Sequence, residues 1–187
     1  MKSSGAKEDS AVDLKQVLKD CGYNVVAELD VSTLEFLPEV RAMCSADRCR
    51  AYGKSWSCPP ANGTLEYWEE KASHFRKGLL MQTVGEREDS FDFEAMMEVE
   101  ELHKANSEKL IDFIHANALD CLFMTAGTCT RCKPCTYPDA PCRFPDRVFP
   151  SMEACGVFVS KVCMDINLAY NYGDEKIAYT SCLLYND

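Results

Sequence analysis

The sequence predicts an α+β (or α/β) domain in which helices flank a small mixed sheet and two cysteine-rich loops gather at one end. Three observations predict it. Helically spaced apolar residues alternate along the chain with short apolar runs bounded by glycines and polar turns, as in a layered domain around one sheet. The 187 residues, 47% hydrophobic and 27% charged, suffice for one core and are short for two. Internal repeats and low-complexity tracts are absent, and the cysteine-rich stretches fall between the regular elements, where such sheets gather ligands.

Residues 1–10 are polar and expected to form a flexible N-terminus, leaving 11–187 as a single cysteine-rich domain. From Ala11, AVDLKQVLKDCGY carries Val12, Leu14, Val17 and Leu18 at helical spacing and stops at Gly22. NVVAELDV reads as a strand. LPEVRAMC gives a brief helix opened by Pro38, whose fixed φ and missing N–H suit a first helical position. CSADRCRAYGKSWSCPPANG has no sustained period but holds Tyr52 and Trp56, so it reads as an ordered loop. TLEYWEEKASHF restarts a helix, with Thr64 as N-cap and Tyr67 and Trp68 on or near the inner face. KGLLMQTVG reads as a buried strand ending at Gly85, and EREDS as a solvated acidic turn. From Phe93 to Asn117 the apolar spacing is helical, but Asn106 interrupts it and Ser107 can cap a second helix, so one helix and two are both open. DCLFMTAG is a short strand running into the second cysteine loop; Pro150–Glu153 start a helix, and KIAYTSCLLY is a closing strand.

A net charge of −10 with scattered Lys and Arg argues against a polyanionic partner, so no nucleic acid is expected. No apolar run reaches the ~18 residues of a membrane span, and none follows Lys2 as in a secretory signal. The expected setting is therefore the reducing cytoplasm, where twelve cysteines argue for metal rather than disulfides.

Cys129, Cys132, Cys135 and Cys142 form a C-x2-C-x2-C-x6-C run. Three consecutive two-residue spacings wrap sulfurs around a compact centre, as in ferredoxins, where the fourth cysteine is followed by proline. Here the last gap is longer and Arg143 precedes Pro145. Zinc sites normally pair two knuckles across a longer spacer, so the spacing favours an iron–sulfur cluster over zinc, and either over unmetallated thiols. Arg143 and Lys133 are fixed cations beside these thiols, placed to offset thiolate charge and raise a reduction potential; a solvated surface role is the alternative.

Cys44-x4-Cys49-x8-Cys58 has only three members. The plain reading is small buried hydrophobes, but loops rarely need thiols for packing, and the sharper reading is a second metal site. Its fourth ligand could be Cys155, Cys163 or a thiol of the second cluster, or it could be absent, leaving one iron open to a small ligand. Cys155 and Cys163, spaced for two helical turns, are divided between packing and ligation; Cys21, Cys121 and Cys182 read as buried free thiols. His74, His103 and His115 fall in predicted helices away from the loops and read as core or surface residues. Neither a radical-SAM cysteine run, a Walker loop nor a G-x-G-x-x-G is present.

The pairing of CSADRCRAYGKSWSCPP with GTCTRCKPCTYPDAPCRFPDRVFPSMEACGV resembles the predicted metal-binding proteins grouped as domain of unknown function 2284, found largely in anaerobic bacteria and archaea. The matching residues include Cys44, Cys49, Tyr52, Gly53, Trp56, Cys58, Pro59 and Pro60, then the four cysteines from Cys129 to Cys142 with Arg143, Pro145, Ser151, Met152, Glu153, Ala154 and Gly156. The resemblance extends from about Cys21 to the end of the chain. It implies metal binding by these seven cysteines and names no reaction.

The function read from the sequence is electron transfer, or a redox accessory role, with one or two [4Fe–4S] clusters. Its acidic surface suits a redox partner protein with basic patches. The alternatives are an iron–sulfur enzyme with an open iron at the three-cysteine loop, and a zinc-stabilised, non-catalytic binding module. Oligomeric state is not legible in the sequence.

Overall fold

In chain order, the computed structural model, which describes residues 12–186, gives α1 (Leu14–Cys21), β1 (Val25–Asp30), α2 (Pro38–Met43), α3 (Leu65–Ser73), β2 (Lys77–Glu86), α4 (Phe93–Ala116), β3 (Cys121–Met124), α5 (Met152–Cys155), α6 (Val159–Asp165) and β4 (Lys176–Tyr185). The flexible N-terminus expected at 1–10 lies outside the described residues. The strands form one sheet in the order β1-β2-β4-β3. The α+β class is as expected, but all three pairings are antiparallel where mixed directions were anticipated. The reason lies in the connections. The chain leaves β1 at Asp30 and re-enters β2 at Lys77 directly opposite, so the long excursion carrying the first cysteine loop returns to the same sheet end.

Both central strands are buried on both faces, which is why they read as unbroken apolar runs. Successive side chains alternate between two cores. Leu79, Met81, Leu183 and Phe123 pack against Leu14 and Leu18 of α1 and Leu110, Ile111 and Ile114 of α4. Leu80, Cys182, Leu184, Leu122 and Met124 pack against Trp68 of α3, Met152 and Cys155 of α5, and Val159, Val162 and Cys163 of α6. Burial of this kind contributes about 1.5–3 kcal/mol per large apolar side chain.

Gly22 ends α1 as read, in a left-handed conformation, and Asp13, which the sequence reading did not single out, caps its start through Lys15 and Gln16. Pro38 opens α2, and Thr64 caps α3 through the Tyr67 N–H. Trp68 is buried, while Tyr67 is largely exposed. The region 93–117, left open between one helix and two, is one helix, and the polar residues that interrupt its stripe find partners there, apart from Asn106 Oδ1, which is buried with none among the described residues. Asn106 Nδ2 donates to Gly22 O and Thr83 Oγ1, and Ser107 Oγ donates to His103 O while meeting Tyr23 Oη at 3.0 Å. His103 sits fully buried beside them, with Nδ1 2.9 Å from Thr83 Oγ1 and Nε2 2.7 Å from Ser181 Oγ. No helix among the described residues is long and apolar enough to cross a membrane.

Candidate metal centre

The first cysteine loop leaves α2 through a single 3-10 turn at Cys44–Ala46. Asp47 then holds it: the carboxylate accepts from the Tyr52 N–H at 2.9 Å and from Lys54 Nζ at 2.9 Å. At the far end the Gly53 N–H donates to Pro59 O and the Asn62 N–H to Cys58 O. Arg41 and Asn62 bind this frame to α5, since Asn62 Nδ2 donates to Ala154 O at 3.0 Å and Arg41 donates to Asn62, Gly63 and Ala154. The Leu37 N–H donates to Gly156 O, so α2 and α5 stay in contact. Gly156 adopts φ 99°, a left-handed conformation that other residues take only with strain, so this turn requires glycine.

These ties put Cys44, Cys49 and Cys58 on the wall of one cavity of about 370 Å³, shared with Glu153, Ser151, Thr128, Arg48 and aromatic residues. Burial pushes the Cys44 thiol up, reinforced by the charges of Glu153, Cys49 and Cys58. Glu153 keeps accessible surface, yet the protein packed around its carboxyl is dense enough that desolvation pushes it above the ordinary carboxylate range, against hydrogen bonds from its own backbone and Ser151.

The second loop begins beyond β3, where Thr125 bridges Ser151. Its four cysteines, Cys129, Cys132, Cys135 and Cys142, line a single pocket of about 10 Å³ together with Ser55, Trp56, Arg131 and Phe144. Burial is the largest influence on Cys135 and raises its pKa, but it is outweighed by hydrogen bonds from the Tyr137, Trp56 and Thr136 backbones and the Ser55 hydroxyl. The net result is a thiol below its ordinary value. Cys129 goes the other way, pushed up by burial despite the Arg131 backbone N–H and guanidinium. The Phe144 N–H donates to Cys142 Sγ at 3.4 Å.

The two loops are one structure. Cys58 Sγ lies 3.2 Å from Thr128 Oγ1, and the Cys129 N–H donates to Ser57 Oγ at 3.0 Å. Trp56 Nε1 donates to Thr136 Oγ1 and Ala140 O, and its ring meets Tyr137 edge to face at 4.9 Å.

Of the predicted cations, Arg143 donates to Pro134 O from an exposed position and Lys133 is exposed; neither lines the four-cysteine pocket. The guanidinium on that wall belongs to Arg131, held by Glu108 and stacked 5.6 Å from the Phe144 ring. Arg131 lies between two of the spaced cysteines, so position alone could have marked it as readily as Lys133. Ser57 and Thr128 were signalled only by adjacency to Cys58 and Cys129. Cys155 and Cys163 are fully buried in the core on two separate short helices, with Gly156 breaking the two turns their spacing suggested, and burial pushes both thiols up. Cys21 and Cys182 are buried and Cys121 half-buried. All twelve cysteines are free. His115 bonds Asp146 O at the surface, and His74 caps α3.

The donor set fits a metal centre on its chemistry: four thiols around one pocket, N–H donors aimed at sulfur, and a fixed cation beside them. Among the described residues, no three His, Cys, Asp or Glu side chains converge tightly enough to chelate a single ion. The chain matches no curated protein and no solved structure. Residues 27–185, spanning both loops and the whole sheet except the start of β1, match the family described as Predicted metal-binding protein (DUF2284), and the chain belongs to that family.

Proposed function

We propose that this chain is an iron–sulfur redox protein, in which Cys129, Cys132, Cys135 and Cys142 hold a [4Fe–4S] cluster and Cys44, Cys49 and Cys58 hold a second centre beside it. The observation that carries the reading is the division of seven thiols between two cavity walls that touch through Ser57 and Thr128. A bound cluster supplies one-electron transfer. The chain's own part is to favour thiolate at Cys135 through four hydrogen bonds, to set Arg131 against the anionic charge, and to exclude bulk water with Trp56 and Phe144. The net charge of −10 suits docking to a basic redox partner protein, and twelve free cysteines suit a reducing cytoplasm.

A single zinc at the four-cysteine pocket is the second reading. It is favoured by the enclosed volume of about 10 Å³, close to the room one water needs. A cluster requires these loops to swell around it; zinc requires them to close. Anaerobically purified protein is expected to be brown, with visible absorption that bleaches on reduction and returns on mild oxidation. Colourless protein from iron-replete cells would sink the redox reading.

A further inference from the structure

The three-cysteine cavity includes a group that no cysteine spacing reveals. Among the described residues, Glu153, on the four-residue helix α5, contributes the only carboxylate to a wall otherwise made of the three thiols, hydroxyls, apolar side chains and one guanidinium, Arg48. It forms no ion pair among the described residues. A carboxylate is an oxygen donor able to share a metal centre with thiolates, and Glu153 shares its wall with three of them.

The rival fourth ligands are disposed of by their positions. Cys155 and Cys163 are fully buried among Leu80, Met152 and Cys182 and contribute nothing to the cavity wall. The four thiols of the second loop line a pocket of their own. Neutral hydroxyls are weak ligands, and a guanidinium offers no lone pair. We propose that Glu153 is the fourth ligand of the three-cysteine site, its carboxylate taking the coordination position that Cys44, Cys49 and Cys58 leave open. This rests on the reading above that those three thiols hold metal.

The architecture supports the assignment. Three ligands come from the loop after α2, and the fourth comes from a helix about a hundred residues later, brought in by Arg41, Asn62 and the Leu37–Gly156 hydrogen bond. A chelate closed by tertiary structure explains why local spacing gave only three members. Three soft thiolates and one harder oxygen also make one iron unlike the others, with the oxygen its most exchangeable ligand.

The test uses the full chain reconstituted anaerobically with ⁵⁷Fe and sulfide, as wild type, Glu153→Cys, Glu153→Gln and Cys58→Ala. Mössbauer spectra of the wild type are expected to contain a minority doublet from oxygen-ligated iron. Glu153→Cys should lose that doublet while keeping the iron, and Glu153→Gln should shift it or release that one iron, leaving a three-iron cluster visible by EPR. An unchanged spectrum in both Glu153 variants, with iron lost in Cys58→Ala, overturns the role of Glu153 and leaves the site standing. Equal iron in wild type and Cys58→Ala overturns the three-cysteine site itself, and Glu153 with it.

Discussion

The pocket walled by Cys129, Cys132, Cys135 and Cys142 encloses about 10 Å³, whereas the cavity walled by Cys44, Cys49 and Cys58 beside it encloses about 370 Å³. The smaller is built mostly from its own loop and closed by Trp56 and Phe144. The larger borrows walls from α5 and α6, and its rim carries Met43, Phe158 and Tyr170 at 66%, 44% and 50% exposure. Identical side-chain chemistry is thus set in two constructions. A closed thiol pocket with N–H donors suits a centre that only gains and loses electrons; a roomy one within the volume range of ligand sites suits a centre that meets another molecule.

That contrast breaks most cleanly by mutation. Cys135→Ala is expected to remove the whole iron complement of the four-cysteine centre and leave the other, and Cys58→Ala to do the reverse, read as iron per chain and as separate EPR signals. Loss of both sets from either single variant would make the two cavities one centre.

The next effect concerns the packing of α4 on the sheet. Burial, with help from Lys104, depresses the His103 pKa from 6.5 to about 4. The unfolded chain therefore takes up this proton first, so the contribution is fully present above about pH 6.5 and is lost as pH falls toward 4. The loss amounts to something on the order of 3 kcal/mol. Because the imidazole nitrogens meet Thr83 Oγ1 of β2 and Ser181 Oγ of β4, acid is expected to loosen the packing of α4 on the sheet first. Denaturant melts at several pH values check this: His103→Gln should flatten the profile between pH 4 and 6.5 relative to wild type.

Thr128→Val removes the hydroxyl that meets both Cys58 and Ser57, and is expected to cost about 1 kcal/mol by urea unfolding. Iron should leak faster from both sites of this variant; leakage from one alone would show the loops to be independent. The smallest effect is electrostatic. Arg131→Gln should lower the potential of the four-cysteine centre by tens of millivolts, while Arg143→Gln and Lys133→Gln, exposed and off the pocket wall, change it less in a redox titration.

What the sequence made legible follows from how local each signal is. Gly22, Pro38 and Thr64 act within one helical turn, and the doubly buried strands betray themselves as apolar runs. The four-cysteine spacing is likewise a property of one loop. Asn106 and Ser107 looked like a helix break because their partners, Gly22, Thr83 and Tyr23, are remote in sequence. Cys155 and Cys163 looked like possible ligands because nothing local shows that Gly156 turns the chain and sends both into the core. Glu153 gains significance only when distant segments close around it, whereas Arg131 stands between two spaced cysteines and was as legible as Lys133.

The most direct test of the two-centre account is iron, acid-labile sulfide and zinc analysis of the anaerobically purified full chain, with EPR of the reduced form. The account predicts iron and sulfide in equal amounts, exceeding one cluster per chain, and two distinguishable reduced signals. Stoichiometric zinc without sulfide, from cells grown in ample iron, would contradict it.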